Sequence, residues 1–285
     1  MIELIESAAQ ARRAVAAARD LGKRVGLVPT MGALHEGHSR LIAQCRAESG
    51  LAVVSIFVNP TQFGPAEDFD RYPRSVADDL ERCQAAGADL VFAPQAATVY
   101  PNGLRSTFVE VPGLSDVLEG ASRPGHFRGV ATVVLKLFEI VRPDLAFFGQ
   151  KDYQQQLLIR RMIEDLHVPV ELRTCPTFRE PDGLALSSRN RYLNPHDRQT
   201  AALLYRALER AKHAVAGGQR QADRIRQILR ETLESNASVK LDYAAVADAE
   251  TLEPLGDLGE ECRAVALLAA QVGTTRLIDN MMLME

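Results

Sequence analysis

The sequence has few cysteines, little net charge and no long hydrophobic run, and each shortage argues against a class of protein. Its four cysteines are far apart and form no Cys-x-x-Cys pair, so we expect reduced thiols in the cytoplasm rather than a disulfide framework. The first residues also lack the basic and apolar parts of a secretory signal. The net charge of −4 gives no overall attraction to nucleic acid or to an anionic membrane. No apolar run approaches the roughly 18 residues that a membrane-spanning helix needs, so we expect neither a membrane nor a nucleic-acid partner.

Short β-prone apolar runs alternate with helix-length segments through the first 175 residues. Several of these runs are apolar at consecutive positions, which is typical of parallel strands buried on both faces. The pattern therefore predicts an open, doubly wound α/β sheet. The predicted strands lie at residues 25–29, 52–58, 90–93, 145–149 and 170–174, and clear helices at 76–86 and 130–141.

The character of the sequence changes near residue 195, where polar helices begin. Helical periodicity and turn residues in this part predict a smaller α+β domain. We place the domains at residues 1–177 and 178–285. The predicted helices of the second domain are 201–216 and 221–235, and its predicted strands are 239–246, 262–270 and 275–278.

The most informative segment is Pro-Thr-Met-Gly-Ala-Leu-His-Glu-Gly-His at residues 29–38. It follows a predicted strand and precedes a helical pattern, which is where α/β proteins bind nucleotides. Gly32 and Gly37 allow close approach of the backbone, and a helix start directs N–H groups toward an anion. His35 and His38 are one helical turn apart, so both imidazoles can face the same point. These features suit a polyphosphate group.

Two other interpretations of this segment stay open. The histidines could be half of a zinc site, although no cysteine or third histidine is nearby in the sequence. The turn could also carry its histidines by chance, since short motifs match easily.

Two more segments suit a phosphorylated ligand. Lys151 and Asp152 follow a predicted strand, where a lysine can neutralise phosphate and an aspartate can bind ribose hydroxyls or assist Mg²⁺. The run Gly183-Leu-Ala-Leu-Ser-Ser-Arg189 places two hydroxyls and a guanidinium close together after a glycine that permits a mobile loop. Each segment alone could equally be a solvated loop.

Two loops suit a substrate. Asn59 to Gly64 follow the strongest predicted strand, and their amides could bind a hydroxy acid, although Asn-Pro is also a plain turn signal. The basic loop 123–129 either closes over an anionic substrate or is a surface loop, and the sequence does not decide between these.

Seven segments, in order, resemble those of one enzyme family. They are Pro-Thr-Met-Gly-Ala-Leu-His-Glu-Gly-His at 29–38, Val-Ser-Ile-Phe-Val-Asn-Pro-Thr-Gln-Phe at 54–63, Arg-Tyr-Pro-Arg at 71–74, Arg-Pro-Gly-His-Phe-Arg-Gly-Val at 123–130, Phe-Gly-Gln-Lys-Asp-Tyr-Gln-Gln at 148–155, Gly-Leu-Ala-Leu-Ser-Ser-Arg-Asn at 183–190 and Arg-Leu-Ile-Asp-Asn at 276–280. In these segments, and over essentially its whole length, the sequence resembles the pantoate–beta-alanine ligase family.

The resemblance implies a Rossmann-like nucleotidyltransferase domain, a smaller C-terminal domain that acts partly as a lid, and a cytoplasmic homodimer. The implied substrates are pantoate, beta-alanine and ATP, with Mg²⁺. Pantoate carboxylate would attack the α-phosphorus of ATP to give pantoyl adenylate and pyrophosphate. The amine of beta-alanine would then attack the acyl carbon, releasing pantothenate and AMP. Preorganised donors aimed at the phosphate oxygens would lower the first barrier.

The resemblance also implies roles for residues at matching positions. The expected catalytic residues are His38, His35, Lys151 and Arg189. The expected ATP-binding residues are Met31, Gly32, Ala33, Leu34, His35, Glu36, Gly37, His38, Gly149, Gln150, Lys151, Asp152, Phe178, Leu186, Ser187, Ser188 and Arg189. The expected substrate-binding residues are Gln62, Gln155, Asn59 and Tyr72.

The chain departs from the family pattern at three positions. Phe178 stands where the family often has a small aliphatic residue whose backbone meets the adenine. Gln150 replaces a frequent glutamate, and Thr61 a frequent methionine. The Mg²⁺ ligands stay unassigned, with Asp78 and Asp79 either candidates or part of a solvated helix face.

Two other classes of function share some of these features. A related cytidylyl- or adenylyltransferase would retain the nucleotide in its product, whereas a ligase of this type releases AMP. A nucleotide sensor would bind ATP without turnover, and the paired Gln62 and Gln155 argue against it.

Overall fold

The computed structural model describes residues 2–65, 67, 69–104 and 107–284. By its contacts the chain divides into two compact units: Met1–Gln150 with Gln154–Pro176, and Lys151–Tyr153 with Thr177–Glu285. Within the described residues, no helix is both long and apolar enough to cross a membrane.

The first unit contains a parallel sheet of six strands with helices in the connections. The strands are β1 (Glu3–Ile5), β2 (Val25–Thr30), β3 (Leu51–Ile56), β4 (Leu90–Phe92), β5 (Leu145–Gly149) and β6 (Glu171–Cys175). The helices are α1 (Ala8–Asp20), α2 (Glu36–Glu48), α3 (Val76–Ala85), α4 (Ala96–Val99), α5 (Glu119–Ser122), α6 (His126–Val141) and α7 (Tyr153–Asp165), of which Tyr153 itself belongs to the second unit. Short 3-10 helices lie at Pro60–Gln62 and Phe69–Arg71, and a third spans Gln150–Asp152, of which only Gln150 belongs to this unit.

The order of the strands determines where a ligand can bind. The sheet runs β1-β4-β3-β2-β5-β6, so the chain builds outward from β2 to β4 and then returns to β5 on the other side of β2. Strands β2 and β5 are direct neighbours, with Gly26 opposite Leu145. This reversal is the topological switch point, where open α/β sheets bind ligands beyond the carboxyl ends of their strands. The turn after Thr30 and the end of β5 at Gly149 both lie at this edge.

The second unit is built on an antiparallel sheet of three strands, β7 (Val239–Asp248), β8 (Ala264–Val272) and β9 (Thr275–Met284). Helices α8 (Pro195–Ala201), α9 (Leu203–Ala216) and α10 (Ala222–Glu234) accompany it, and a 3-10 helix spans Ser188–Tyr192. Leucines of α9 and α10 pack with the alternating apolar residues of β8 in one core. Amphipathic helices that pack their apolar faces against an antiparallel sheet give this α+β arrangement.

The predicted fold class, a doubly wound parallel sheet with a smaller α+β part, is confirmed. Strand β1 was not predicted; the predicted helix 201–216 corresponds to α9, which begins two residues later, and the separate helix α8 precedes it. Helix α6 begins at His126 rather than residue 130, because Gly125 with a φ of 82° forms its N-cap.

Candidate active site

The turn that joins β2 to α2 is held by a buried carboxylate. Asp79 on α3 is only 3% exposed, and its oxygens accept hydrogen bonds from the N–H groups of Ala33 (3.0 Å) and Leu34 (2.8 Å). Ala33 has a φ of 52°, a left-handed conformation that a residue with a side chain rarely adopts. The Asp79 carboxylate therefore stabilises an otherwise unfavourable turn.

This geometry corrects both sequence interpretations of Asp79. It is neither on a solvated helix face nor positioned as a metal ligand, since its two oxygens bind backbone donors. Its neighbour Asp78 accepts a hydrogen bond from the Ser75 hydroxyl at 2.6 Å. The signal was present in the sequence: Asp79 lies four residues before the buried Cys83, so the two share the inner face of α3.

Gly32 is required at its place in the same turn. Its φ is 81°, and a Cβ there would lie 2.7 Å from Oδ2 of Asp79 and 3.1 Å from Cγ2 of Ile56. Any other residue would therefore push against the carboxylate that holds the turn. The sequence predicted that Gly32 permits a close approach to the backbone, and the group that approaches it is the Asp79 carboxylate.

The two histidines lie together at the start of α2. Their ring centroids are 4.1 Å apart, and the backbone N–H of His35, the N-cap residue, donates to Nδ1 of His38 at 3.2 Å. A ring nitrogen that accepts this bond carries no proton, so the proton of the neutral imidazole is on Nε2. His38 can therefore donate from Nε2 to an anion at the helix start.

A buried amide network orients Gln62. The side-chain oxygen of Asn59 accepts from the Thr61 N–H and hydroxyl and from the Tyr100 hydroxyl, which leaves its NH₂ group to donate. That group donates to Oε1 of Gln62 at 3.1 Å and to the carbonyl of Gly129 at 3.1 Å. Gln62 consequently directs its own NH₂ group toward Met31, with Nε2 2.9 Å from Sδ.

The structure also locates two of the predicted substrate-binding residues, Asn59 and Tyr72, and the nearby Thr61. Asn59 is 1% exposed, so it orients Gln62 from inside the protein. Tyr72 is buried, and its ring packs edge-on against Phe63 with centroids 6.0 Å apart. Thr61, which departs from the family pattern, adds a hydroxyl that contacts Asn59 and Tyr100.

The basic loop at 123–129 is neutralised by an acidic partner. Both Nε and Nη2 of Arg123 donate to the Glu67 carboxylate, and Nη1 lies 3.1 Å from Nε2 of His126. Nδ1 of His126 lies 2.8 Å from the Gln62 carbonyl, so Nδ1 carries the proton. Burial, and then the Arg123 charge, lower the pKa of His126 to about 4. The structure thus makes this loop a support for the Gln62 backbone.

The consecutive glutamines of α7 have different surroundings. Gln154 is buried, and its amide donates to the carbonyls of Leu114 and Val117 while its oxygen accepts from the Glu119 N–H. Gln155 is half-buried. The role of Gln154 is therefore structural, whereas the substrate-binding role expected for Gln155 stays a prediction.

In the second unit, Lys151 and Asp152 lie on a 3-10 turn. The Lys151 ammonium is 3.5 Å from Oδ1 of Asp152, and the Lys151 side chain is the more buried of the two. The backbone carbonyl of Lys151 accepts a hydrogen bond from Nδ2 of Asn280 at 2.7 Å.

The Ser-Ser-Arg segment follows a short hairpin. Residues Arg179 and Ala185 pair in an antiparallel bridge, and the Leu186 N–H donates to the Phe178 carbonyl at 3.0 Å. The Ser187 hydroxyl accepts from the Arg189 N–H at 3.3 Å and caps the helix Ser188–Tyr192.

The sequence suggested that Gly183 permits a mobile loop, and the structure supplies a second reason for a glycine here, which is close packing. Its φ is 91°, and a Cβ there would lie 1.8 Å from the Tyr205 ring. Gly183 is therefore needed because the hairpin packs directly against α9.

Metal ligation by protein side chains receives no support. Among the described residues, no three His, Cys, Asp or Glu side chains come together as a metal ion requires. The zinc interpretation of His35 and His38 therefore lacks further ligands within that part of the chain.

Comparison with known proteins agrees with the fold and the motifs. The family model described as pantoate-beta-alanine ligase matches residues 3–282. The pantothenate synthetase of Moorella thermoacetica is 52% identical over 282 residues, which is 99% of each chain. That of Roseiflexus sp. is 51% identical over 282 residues, again 99% of each chain.

Two solved structures extend this agreement to three dimensions. Pantothenate synthetase from Thermus thermophilus matches with a TM-score of 0.93 and 44% identity over 100% of both chains. A pantoate-beta-alanine ligase from Francisella tularensis, complexed with beta-gamma ATP and beta-alanine, matches with a TM-score of 0.80 and 33% identity over 99% of this chain and 98% of that one. The chain therefore belongs to the pantoate–beta-alanine ligase family.

Proposed function

We propose that the chain joins pantoate to beta-alanine in two steps, through a pantoyl adenylate. Membership of the family makes it an ATP-dependent ligase of these substrates, and it covers nearly the full length of its relatives. In the first step, a carboxylate oxygen of pantoate attacks the α-phosphorus of ATP and pyrophosphate leaves. In the second, the amine of beta-alanine displaces AMP from the acyl carbon.

The first step is electrostatic in character, and the histidine turn suits it. Pantoate is already ionised at neutral pH, so its attack needs no base, but negative charge moves onto the phosphate oxygens. His38, which presents an Nε2–H donor, stabilises that charge at the start of α2, and His35 binds phosphate beside it. The rest of the turn, from residue 31 to residue 37, lines the nucleotide-binding site.

The remaining phosphate donors come from the other two motifs. We assign Lys151 and Arg189 to phosphate oxygens, with Ser187 and Ser188 adding hydroxyl donors. Asp152 and Gly149 bind the ribose. Gln150, Phe178 and Leu186 complete the nucleotide site, with the role of Phe178 limited to its backbone, because its ring replaces the small aliphatic side chain that is frequent in the family.

Pantoate binding is assigned to the amide network. Gln62 directs its N–H donors toward Met31 of the histidine turn because Asn59 holds its oxygen, and such donors suit the carboxylate or hydroxyl oxygens of a hydroxy acid. Gln155 supplies a second amide, and Tyr72 borders the substrate. Gln62 also lies near the beta-alanine position. The fixed orientation of Gln62 is the observation that best supports a site for a hydroxy acid.

Mg²⁺, dimerisation and location complete the proposal. Mg²⁺ fits a site in which ATP oxygens and water supply most ligands, because this ion keeps several waters and binds phosphates. When bound, it would withdraw charge from the phosphates, and Asp152 is the carboxylate best placed in the sequence to assist. The family resemblance is what supports the proposed homodimer and the proposed cytoplasmic location. Burial raises the pKa of Cys45 to about 12, so this thiol stays protonated and unreactive.

Product analysis with ¹⁸O-labelled pantoate tests the mechanism. With MgATP and pantoate alone, we expect pyrophosphate, and AMP only after beta-alanine is added. One ¹⁸O should pass from the carboxylate into AMP, because the carboxylate oxygen bonds to phosphorus. Unlabelled AMP would exclude the adenylate. Retention of the nucleotide in the product would indicate a nucleotidyltransferase, and ATP binding without turnover a sensor.

A further inference from the structure

One segment of the family pattern, Arg276–Asn280 on β9, has no part in the function proposed above. Asp279 and Asn280 are adjacent in the strand and both are 3% exposed. Adjacent strand residues project from opposite faces of a sheet, so burial of both means that polar groups are covered on both faces here. A buried polar group without a hydrogen-bond partner lowers the stability of the fold, so each of these side chains is expected to have a specific partner.

Asp279 binds the hairpin that leads into the Ser-Ser-Arg segment. Its carboxylate accepts two hydrogen bonds from the Arg179 guanidinium, at 2.7 and 3.0 Å. Arg179 also donates to the Gly183 carbonyl at 3.1 Å, and its guanidinium lies 4.6 Å from the centre of the Tyr205 ring. A bidentate pair of this kind fixes direction as well as distance. Asp279 therefore holds both strands of the hairpin.

Asn280 binds the segment that carries the phosphate-directed lysine. Its side-chain Nδ2 donates to the Lys151 carbonyl at 2.7 Å. The same segment is held from the other end by the Tyr153 hydroxyl, which donates to the Ala249 carbonyl at 2.7 Å. The backbone from which the Lys151 side chain extends is thus fixed within the second unit.

We infer that Asp279 and Asn280 are positioning residues for adenylation. From adjacent places on β9, they fix the positions of Lys151 and of the segment Ser187–Arg189. This inference rests on the phosphate-binding roles proposed above for those residues. Charge stabilisation in phosphoryl transfer depends on placement, and a displacement of about 1 Å can cost about 100-fold in rate. Neither Asp279 nor Asn280 needs to touch the nucleotide to have this effect.

Asn280→Asp is the first test, because it keeps the shape and replaces the donor to Lys151 by an acceptor. We expect pantoate-dependent pyrophosphate release to fall roughly 10- to 100-fold and the KM for ATP to rise. The Kd of pantoate, measured by calorimetry, should not change. The matched control is Gln271→Glu, an exposed amide on β8 that also donates to a backbone carbonyl, that of Gly273. Equal loss of ATP and pantoate binding in Asn280→Asp would assign a merely structural role and overturn the inference.

A double-mutant cycle with Lys151→Ala separates this inference from the proposed function. If Asn280 acts through Lys151, Asn280→Asp adds little to the loss caused by Lys151→Ala. Fully multiplicative losses would overturn the positioning role while leaving the catalytic role of Lys151 intact. An unchanged rate in Lys151→Ala alone would instead refute the proposed function of Lys151.

Asp279→Asn extends the test to the Ser-Ser-Arg segment. Its control is Asp242→Asn, which weakens the Asp242–Arg276 pair of the same sheet, where both side chains are partly exposed. We expect a roughly 10-fold or greater rise in the KM for ATP only in Asp279→Asn. Removing one partner of a buried pair can prevent folding. Circular dichroism therefore accompanies each assay, and failure of both Asn280→Asp and Asn280→Ala to fold would overturn the inference.

Discussion

The Asp79 carboxylate should determine whether the histidine turn keeps its shape. Asp79→Asn retains one oxygen and replaces the other by an NH₂ group, which faces a backbone N–H of Ala33 or Leu34 instead of accepting from it. One charge-assisted hydrogen bond is lost and one buried donor is left without a partner. Each such loss costs about 1.5 to 3 kcal/mol, so we expect the free energy of unfolding to fall by about 3 to 6 kcal/mol.

The matched control is the neighbouring Asp78→Asn, which removes a charge one position away and leaves the turn untouched. Urea unfolding measures both variants, and pyrophosphate release measures adenylation. We expect Asp78→Asn to change the free energy of unfolding by less than about 0.5 kcal/mol. Adenylation should fall about 100-fold in Asp79→Asn, because the displaced turn carries His35 and His38. Indistinguishable variants in both assays would refute the role assigned to Asp79.

Two further predictions concern Gln62 and His126. Gln62→Ala should weaken pantoate binding more than ATP binding in calorimetric titrations, and equal losses would count against the assigned orientation. His126 is held neutral with its pKa lowered to about 4, so only the unfolded chain takes up its proton as the pH falls through 6.5. Its contribution to stability should be full above pH 6.5 and be lost progressively toward pH 4, by at most about 3 kcal/mol. Urea unfolding of His126→Gln should show a shallower pH dependence over this range, whereas the exposed His213→Gln should not; equal slopes would contradict the assignment.

The parts of the fold that depend on local pattern could be predicted from the sequence. Strand β5 was predicted over its observed range because five consecutive apolar or small residues end at Gly149. Strand β1 has three residues, too few for a period to show, and its pairing with β4 is not local. Helix α9 was predicted to within two residues at its start and at its observed end, because its apolar spacing and the two glycines that follow it are local signals.

The sequence predicts a residue of the candidate site only where that residue belongs to a short motif. The histidine turn was identified from spacing alone, but its anchor Asp79 is 46 residues from Ala33 in sequence. Similarly, Arg179 and Asp279 are 100 residues apart, so the local sequence around either residue does not predict that they pair. The hydrogen bond from Asn59 that orients Gln62 is local, yet the sequence does not show that Asn59 is buried. Tertiary contacts, rather than residue type, separate residues that bind from residues that position.

The central claim is that the histidine turn stabilises charge during adenylation, and His38→Ala tests it most directly. The measurement is single-turnover pyrophosphate release with saturating pantoate and MgATP, with His196→Ala, an exposed histidine, as the control. We predict a rate about 10² to 10³ lower in His38→Ala, the scale of one lost transition-state donor, with His196→Ala unchanged. A rate in His38→Ala equal to that of the unaltered protein would contradict the account.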